Sequence, residues 1–237
     1  MSDYYYLPLT PGFFSILVVL FLALLVMLAF GLLRSAYLRL GLSPAAALLL
    51  LAGSLIGSYF NIPVGEIPGH RVIVGEVVDF FGMRYPVPML IDRPGTTIAL
   101  NIGGAAIPVL VSLYLLIRYD LWVKGALAVA GVALFVHGLA TPVPGLGIVV
   151  PVFVPTVATA IIAVLLERER AAPLAYVAGS LGTLIGADLL NLGNIGRLGA
   201  PIASIGGAGT FDGIFLTGIA AVLLASFYTP PPREKAV

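Results

Sequence analysis

Cysteine is absent from the 237 residues, which excludes a disulfide framework, thiol catalysis and zinc or iron–sulfur sites held by thiolates. Charge is almost as scarce: 10% of residues are Asp, Glu, Lys or Arg, against roughly a quarter in an ordinary soluble domain. The net charge of +1 leaves no basic surface to suggest nucleic acid as a partner. What fills the chain is apolar, 60% hydrophobic with a mean hydropathy of +1.10. That composition predicts an all-α integral membrane protein whose main partner is the lipid bilayer, a single membrane domain over 1–237 with room for about seven crossings.

Seven apolar runs fit that expectation, at 13–33, 43–60, 98–117, 124–139, 148–166, 174–192 and 208–228, bounded by charges or Gly/Pro clusters. The first is too long for a signal-peptide core and has no basic segment before it. Segment 124–166 reads either as two full spans or as a re-entrant element, because Thr141-Pro-Val-Pro-Gly145, Pro151 and Pro155 interrupt it. Alternate connections split the 12 basic residues eight to four. The richer set is Arg34, Arg39, Arg118, Lys124, Arg168, Arg170, Arg233 and Lys235; the poorer set is Arg71, Arg84, Arg93 and Arg197. The positive-inside rule then puts the N-terminus outside and the C-terminus inside the cytoplasmic membrane. The long outer loop, 61–97, contains the alternating segment His70-Arg-Val-Ile-Val-Gly-Glu-Val-Val-Asp79, expected as a strand in a small β-like cap or as a partly ordered loop. Pro86, Pro88 and Pro94 are expected to break the chain beyond that strand.

The chain also resembles itself. Gly53-Ser-Leu-Ile-Gly57 recurs as Gly182-Thr-Leu-Ile-Gly186, each followed by an asparagine, Asn61 and Asn191. Further on, Arg93-Pro-Gly and Ile98-Ala-Leu-Asn-Ile-Gly-Gly-Ala105 are answered by Arg197-Leu-Gly and Ile202-Ala-Ser-Ile-Gly-Gly-Ala208, with one single-residue gap. The reading is a parallel duplication, repeat 1 about 13–117 and repeat 2 about 148–228, joined by a linker helix at 124–139. This three-one-three plan resembles that of sugar transporters of the SWEET type, in architecture only. Gly103, Gly104, Gly206 and Gly207 open the third and seventh spans, where paired glycines permit unwound backbone at a binding site or close packing of helices.

Nine of the 11 acids fall in termini or connections; Asp188 and Asp212 fall inside apolar spans. An ionised carboxylate at the bilayer centre costs about 2.5–3.5 kcal/mol or more, so such acids are functional candidates. Each lies four residues from a span end, about 6 Å below the interface, and the two are expected at similar depth on one helical hairpin, where a close pair would share a proton. The alternative is structural: Asp212 beside a helix N-terminus and Asp188 in a hydrogen bond across the bundle. His137 is the one histidine inside a span; it reads as a member of a proton relay with the aspartates, as a metal ligand or as a packing residue. His70 with Glu66, Glu76 and Asp79 offers oxygen and nitrogen donors for a cation without a recognised spacing. Nothing calls for a cofactor.

Three segments carry a family resemblance: Ile185-Gly-Ala-Asp-Leu-Leu-Asn-Leu192, the run from Ser204 to Gly218, and Asn101-Ile-Gly-Gly-Ala-Ala-Ile-Pro108. Through them the chain resembles prokaryotic multi-pass membrane proteins with a domain of unknown function, number 1614, which implies no activity. Gly209-Thr-Phe-Asp-Gly-Ile-Phe215 is similar to the Gly-x-Gly-Asp motif of intramembrane aspartyl proteases of the presenilin type. It departs at Phe211, and Ala187-Asp188 stands where those proteases carry Tyr-Asp.

Three functions remain open. One is a proton- or cation-coupled transporter or channel for a small solute or ion, with a polar site between the repeats built from Asp188, Asn191, Asp212, Asn61, Asn101, His137 and the paired glycines. The second is an intramembrane aspartyl protease acting on a transmembrane peptide, with Asp188 and Asp212 as catalytic dyad. The third is a non-catalytic assembly or receptor subunit. The oligomeric state is left open.

Overall fold

The computed structural model describes residues 16, 18–23, 26, 40–81, 83–93, 95–143, 147–151, 153–195, 200–207 and 213–228. These are mostly helical. Helix α1 (Pro44–Gly57) starts at Ser43, whose side chain caps the Ala46 N–H at 3.2 Å, with Pro44 at the first turn where no N–H is needed. Then come strands β1 (Asn61–Ile67), β2 (His70–Phe80), β3 (Met83–Arg93) and β4 (Thr96–Asn101). A π-helical turn (Ile102–Ala106) leads into α2 (Ile107–Tyr119), which ends at Asp120 in the left-handed conformation (φ +50°). Helix α3 (Trp122–Leu139), a short hairpin of β5 (Thr141–Val143) with β6 (Gly147–Val149), and α4 (Phe153–Leu166) follow. Helix α5 (Ala171–Thr183) passes through a π-helical segment (Leu184–Asp188) into a 3-10 helix (Leu189–Asn194); β7 (Ile202–Ile205) and α6 (Gly213–Tyr228) complete the described chain.

Among the described residues three helical stretches are long and apolar enough to cross a membrane: Ile102–Tyr119, Trp122–Leu139 and Ala171–Asn194. Phe153–Leu166 and Thr217–Tyr228 are shorter apolar helices. Of the first expected span, 13–33, only a few positions are described, and 18–23 among them are helical.

Helix α5 is the hub. Ala171 through Ser180 are all buried, because α2, α3, α4 and α6 pack around it. Its small residues, Ala172, Ala175, Ala178 and Gly179, let the neighbouring backbones come close. A Cβ on Gly179 would stand 3.0 Å from the Cα of Gly218 on α6. Two apolar clusters line the hub: Val111, Leu115, Tyr176, Val177, Ile219 and Val222 on the side of α2 and α6, and Val132, Val136, Ala163, Leu174, Ala178 and Ala221 on the side of α3 and α4.

The loop 61–97 is strand rather than irregular chain. β1 and β4 pair antiparallel with a bulge between Pro63 and Gly65, and β7 joins β4 in parallel, so the sheet order is β1-β4-β7. β2 and β3 make a separate two-stranded hairpin, from His70 opposite Arg93 to Phe80 opposite Met83. One expectation is corrected here. Pro86 and Pro88 do not break the chain but lie inside β3, opposite Val77 and Gly75; two residues apart, they point their missing N–H the same way, off the ladder, which an edge strand tolerates. Pro94 lies outside the described residues.

The start of the third expected span is also corrected. Residues 98–101 belong to β4, and helix begins at Ile102. Pairing on both sides by β1 and β7 satisfies the β4 backbone, which removes the pressure to form helix there. In segment 124–166, α3 is an 18-residue helix, residues 147–149 are strand, and α4 starts only at Phe153, after Pro151. Pro155 sits in the first turn of α4, where its missing N–H costs nothing. Of the seventh expected span, Gly213–Tyr228 is helix; residues 208–212, including Asp212, lie outside the described residues.

Candidate functional site

Contacts between their ends show that the helices alternate in direction, so one end of the bundle collects the C-termini of α1, α3 and α5 and the N-termini of α2, α4 and α6. The three-stranded sheet lies at that end and gathers most of the candidate polar residues.

Its centre is Asn101, 2% exposed. The Asn101 side-chain oxygen accepts the Gly104 N–H at 2.8 Å, capping the π-helical turn, while its Nδ2 donates to the Ser58 carbonyl at 2.8 Å and to Asn61 Oδ1 at 3.1 Å. Asn61 Oδ1 also accepts the Ser204 hydroxyl at 2.5 Å, across 143 positions of sequence. Strands β1, β4 and β7 are thus tied by side chains as well as by their ladder. Below Asn101, Gly57 and Gly103 meet: a Cβ on Gly57 would lie 2.9 Å from the Gly103 nitrogen, so only glycine lets the end of α1 touch the π-helical turn.

The two Gly-Gly-Ala segments also meet. Gly206 has φ +74°, and a Cβ there would stand 2.5 Å from the Ala105 Cβ and 2.7 Å from the Ala105 nitrogen. Its N–H donates to Asp188 Oδ2 at 2.6 Å. The Asp188 carboxylate therefore links the end of the α5 helical column to the strand that follows it. Gly207 packs beside Ser204 and Asn101, with its hypothetical Cβ 3.2 Å from the Asn101 Cβ. Asn61, Asn101, Gly103, Gly104, Gly206, Gly207 and Asp188 form one connected layer.

Asn191 and His137 make an adjoining group. Asn191, 3% exposed, directs its Nδ2 at the carbonyls of Gly186 (3.2 Å) and Ala187 (2.9 Å) and at His137 Nδ1 (3.2 Å). The two carbonyls are the acceptors for the amide's two N–H groups, which fixes its orientation, and His137 Nδ1 lies beside them. The same bonds occupy carbonyls freed where the helix widens to π and narrows to 3-10, a common device at helix irregularities. Among the described residues His137 pairs with Asn191, because it lies in the last turn of α3 beside the 3-10 segment. The expected facing of Asp188 and Asp212 involves a residue outside the described set. Among the described residues no three His, Asp or Glu side chains are grouped closely enough to hold a metal ion. Of the outer-loop donors, Glu66 lies on β1 in one sheet, while His70, Glu76 and Asp79 are spread along β2 in another, with roughly 20 Å of strand between His70 and Glu76.

Sequence reasoning missed Ser58 and Ser204, two of Asn101's and Asn61's partners. Only the strand pairing, remote in sequence, brings them in. It also missed the charged cluster at the other end of the bundle. There Lys124 and Glu167 pair at 2.5 Å and Arg170 donates to the Tyr119 carbonyl at 2.6 Å; Lys124, Glu167 and Arg170 with Asp120 and Trp122 line a cavity of about 300 Å³. Lys124 and, secondarily, the Glu169 N–H hold the Glu167 carboxyl below its ordinary range, against the opposing effect of burial. Inside the bundle the hydroxyls of Ser54, Ser112, Thr159 and Thr183 are buried without a hydrogen-bond partner among the described residues.

The family described as "Protein of unknown function (DUF1614)" matches residues 55–224. No curated protein matches the chain, and no solved structure does.

Proposed function

The chain belongs to that family of unknown function, and from its own residues we propose a proton- or cation-coupled transporter or channel for a small solute or ion. In this reading it crosses the cytoplasmic membrane seven times, N-terminus outside, as two parallel repeats (about 13–117 and 148–228) around the helix 124–139. The polar layer then lies at the outer face between the repeats.

The observation that carries the reading is the parallel pairing of β4 with β7. These strands come from corresponding places in the proposed repeats, each leads into Gly-Gly-Ala, and the second of those segments packs on the first. Two copies related by an axis along their own direction run parallel, which is the relation expected of parallel transporter repeats. The strand ends and paired glycines would then act as a gate.

Asp188 supplies the coupling. A charged acceptor makes a hydrogen bond roughly twice as strong as a neutral one, so proton uptake or cation binding at Asp188 weakens its hold on the Gly206 N–H and frees the second Gly-Gly-Ala segment from the α5 column. A ligand that prefers the freed arrangement shifts the population toward it. The unpartnered hydroxyls of Ser112, Thr159 and Thr183 support a polar route through the bundle, since each costs about 1–3 kcal/mol unless something satisfies it. No observation favours the protease reading: the Asp188 carboxylate is engaged by a main-chain donor.

Reconstitution in liposomes with a pH-sensitive dye, under an imposed potential, tests the proposal. Purified protein is expected to pass protons or alkali cations in a pH-dependent way, with the pH dependence lost in Asp188→Asn and in Asp212→Asn. Flux that keeps its pH dependence in both variants overturns the coupling role.

A further inference from the structure

The hairpin β2–β3 has one blocked edge and one open edge. Phe80 and Met83 are partners, so two residues make the turn, and Phe81 has φ +51°, as a type I′ loop requires. Such a loop is closed by a hydrogen-bonded pair, after which hydrogen-bonded and non-hydrogen-bonded pairs alternate. Even-numbered residues of β2 therefore bond to β3, and odd-numbered ones, 71 to 79, turn their N–H and C=O groups outward. On β3 the outward positions are the even ones, and two of these are Pro86 and Pro88. The outer edge of β3 has lost donors at its centre, as edge strands protected against pairing commonly do. The outer edge of β2 keeps them all, and neither strand pairs with any other described strand. Each strand has 11 residues, about 35 Å of ladder, and a two-stranded hairpin alone is marginal in water.

We propose that the β2 edge is a homodimer interface, in which β2 pairs antiparallel with β2 of a second copy about a two-fold axis at Gly75. Charge complementarity selects both the occupant and the register. Centred on Gly75, the pairing sets Arg71 opposite Asp79 of the second copy, and Asp79 opposite its Arg71. Within each hairpin Asp79 is already opposite Arg84, and Arg71 opposite Asp92. The four-stranded sheet then carries rows running Arg84, Asp79, Arg71, Asp92 with alternating sign, the favourable cross-strand arrangement. The same register opposes odd residues to odd residues, 73 to 77 and 75 to 75, so every outward N–H and C=O from 71 to 79 meets a partner. The contact is isologous and closes at two copies. It does not depend on the transport reading.

The absence of cysteine makes cross-linking a clean test on the full chain in native membranes. Gly75→Cys places two thiols at the axis with Cα atoms about 5.5 Å apart, within disulfide reach, and a band of doubled mass is expected on mild oxidation. Leu90→Cys, at an outward position of β3, is expected to give none. Adding Ile73→Pro to Gly75→Cys removes one outward donor while sparing the β2–β3 ladder, and loss of the doubled band is expected; Leu90→Pro added to Gly75→Cys should leave it. Monomer alone from Gly75→Cys, a β3-edge cross-link, a linked band containing a different protein, or a band that survives Ile73→Pro each overturns the interface. A doubled mass of unmodified protein in detergent by light scattering, reduced to one copy by Ile73→Pro, supports it without any cysteine.

Discussion

Single residues at the sheet end of the bundle are constrained by geometry that can be checked one atom at a time. Gly206 combines a left-handed φ with a Cβ position inside the space of Ala105, so Gly206→Ala is expected to destabilise by about 1–3 kcal/mol or more. The control is Gly65→Ala, where a Cβ would have nothing within 4 Å and the change is expected near neutral or slightly stabilising. Thermal melting of the detergent-solubilised variants compares them, and an unchanged Gly206→Ala protein would remove the close approach of the two Gly-Gly-Ala segments. At this scale the sequence was informative about which residues matter and poor on what they touch. Asn61, answered by Asn191, and the paired glycines stand out by their repetition, but the Ser204 hydroxyl that binds Asn61 lies 143 positions away and has no local signal.

At the scale of elements, the apolar runs forecast helices well, and their ends poorly. Residues 98–101 are as apolar as the helix they precede, yet they pair as strand because β1 and β7 flank them; periodicity cannot see a partner. The ends that carry charge behave as local rules expect, and one gives a pH prediction. Glu167, between α4 and α5, pairs with Lys124 at the start of α3, and its carboxyl is held below the ordinary value of 4.5. A depressed carboxyl stabilises the fold above its unfolded value and loses that contribution as pH falls through the folded one. Glu167→Gln should therefore melt slightly lower than the parent at about pH 7 and converge with it as pH falls through the lowered value of the folded carboxyl. Screening of the half-exposed ammonium keeps the difference under about 1 kcal/mol. A gap that persists unchanged into acid would mean that packing, not the ion pair, is what the substitution removes.

For the molecule as a whole, the proposed orientation is open to labelling, because any introduced thiol is the sole one. Val64→Cys, on the exposed face of β1, is expected to react with an impermeant maleimide in intact cells. Glu169→Cys, in the connection at the opposite end, is expected to react only after permeabilisation; the reverse pattern inverts the topology. Composition pointed to a chain built of apolar helices, since so few charges are available to cover a water-facing surface, and the scarcity of acids drew attention to Asp188. The tertiary structure decided what Asp188 does with its charge, which is to hold the Gly206 N–H. It also decided that the twin Gly-Gly-Ala segments lie against each other beneath a parallel strand pair. The physical reason is range: hydropathy is a property of each residue and survives in a list, whereas a hydrogen bond or a Cβ clash exists only between atoms that folding has brought within a few ångströms.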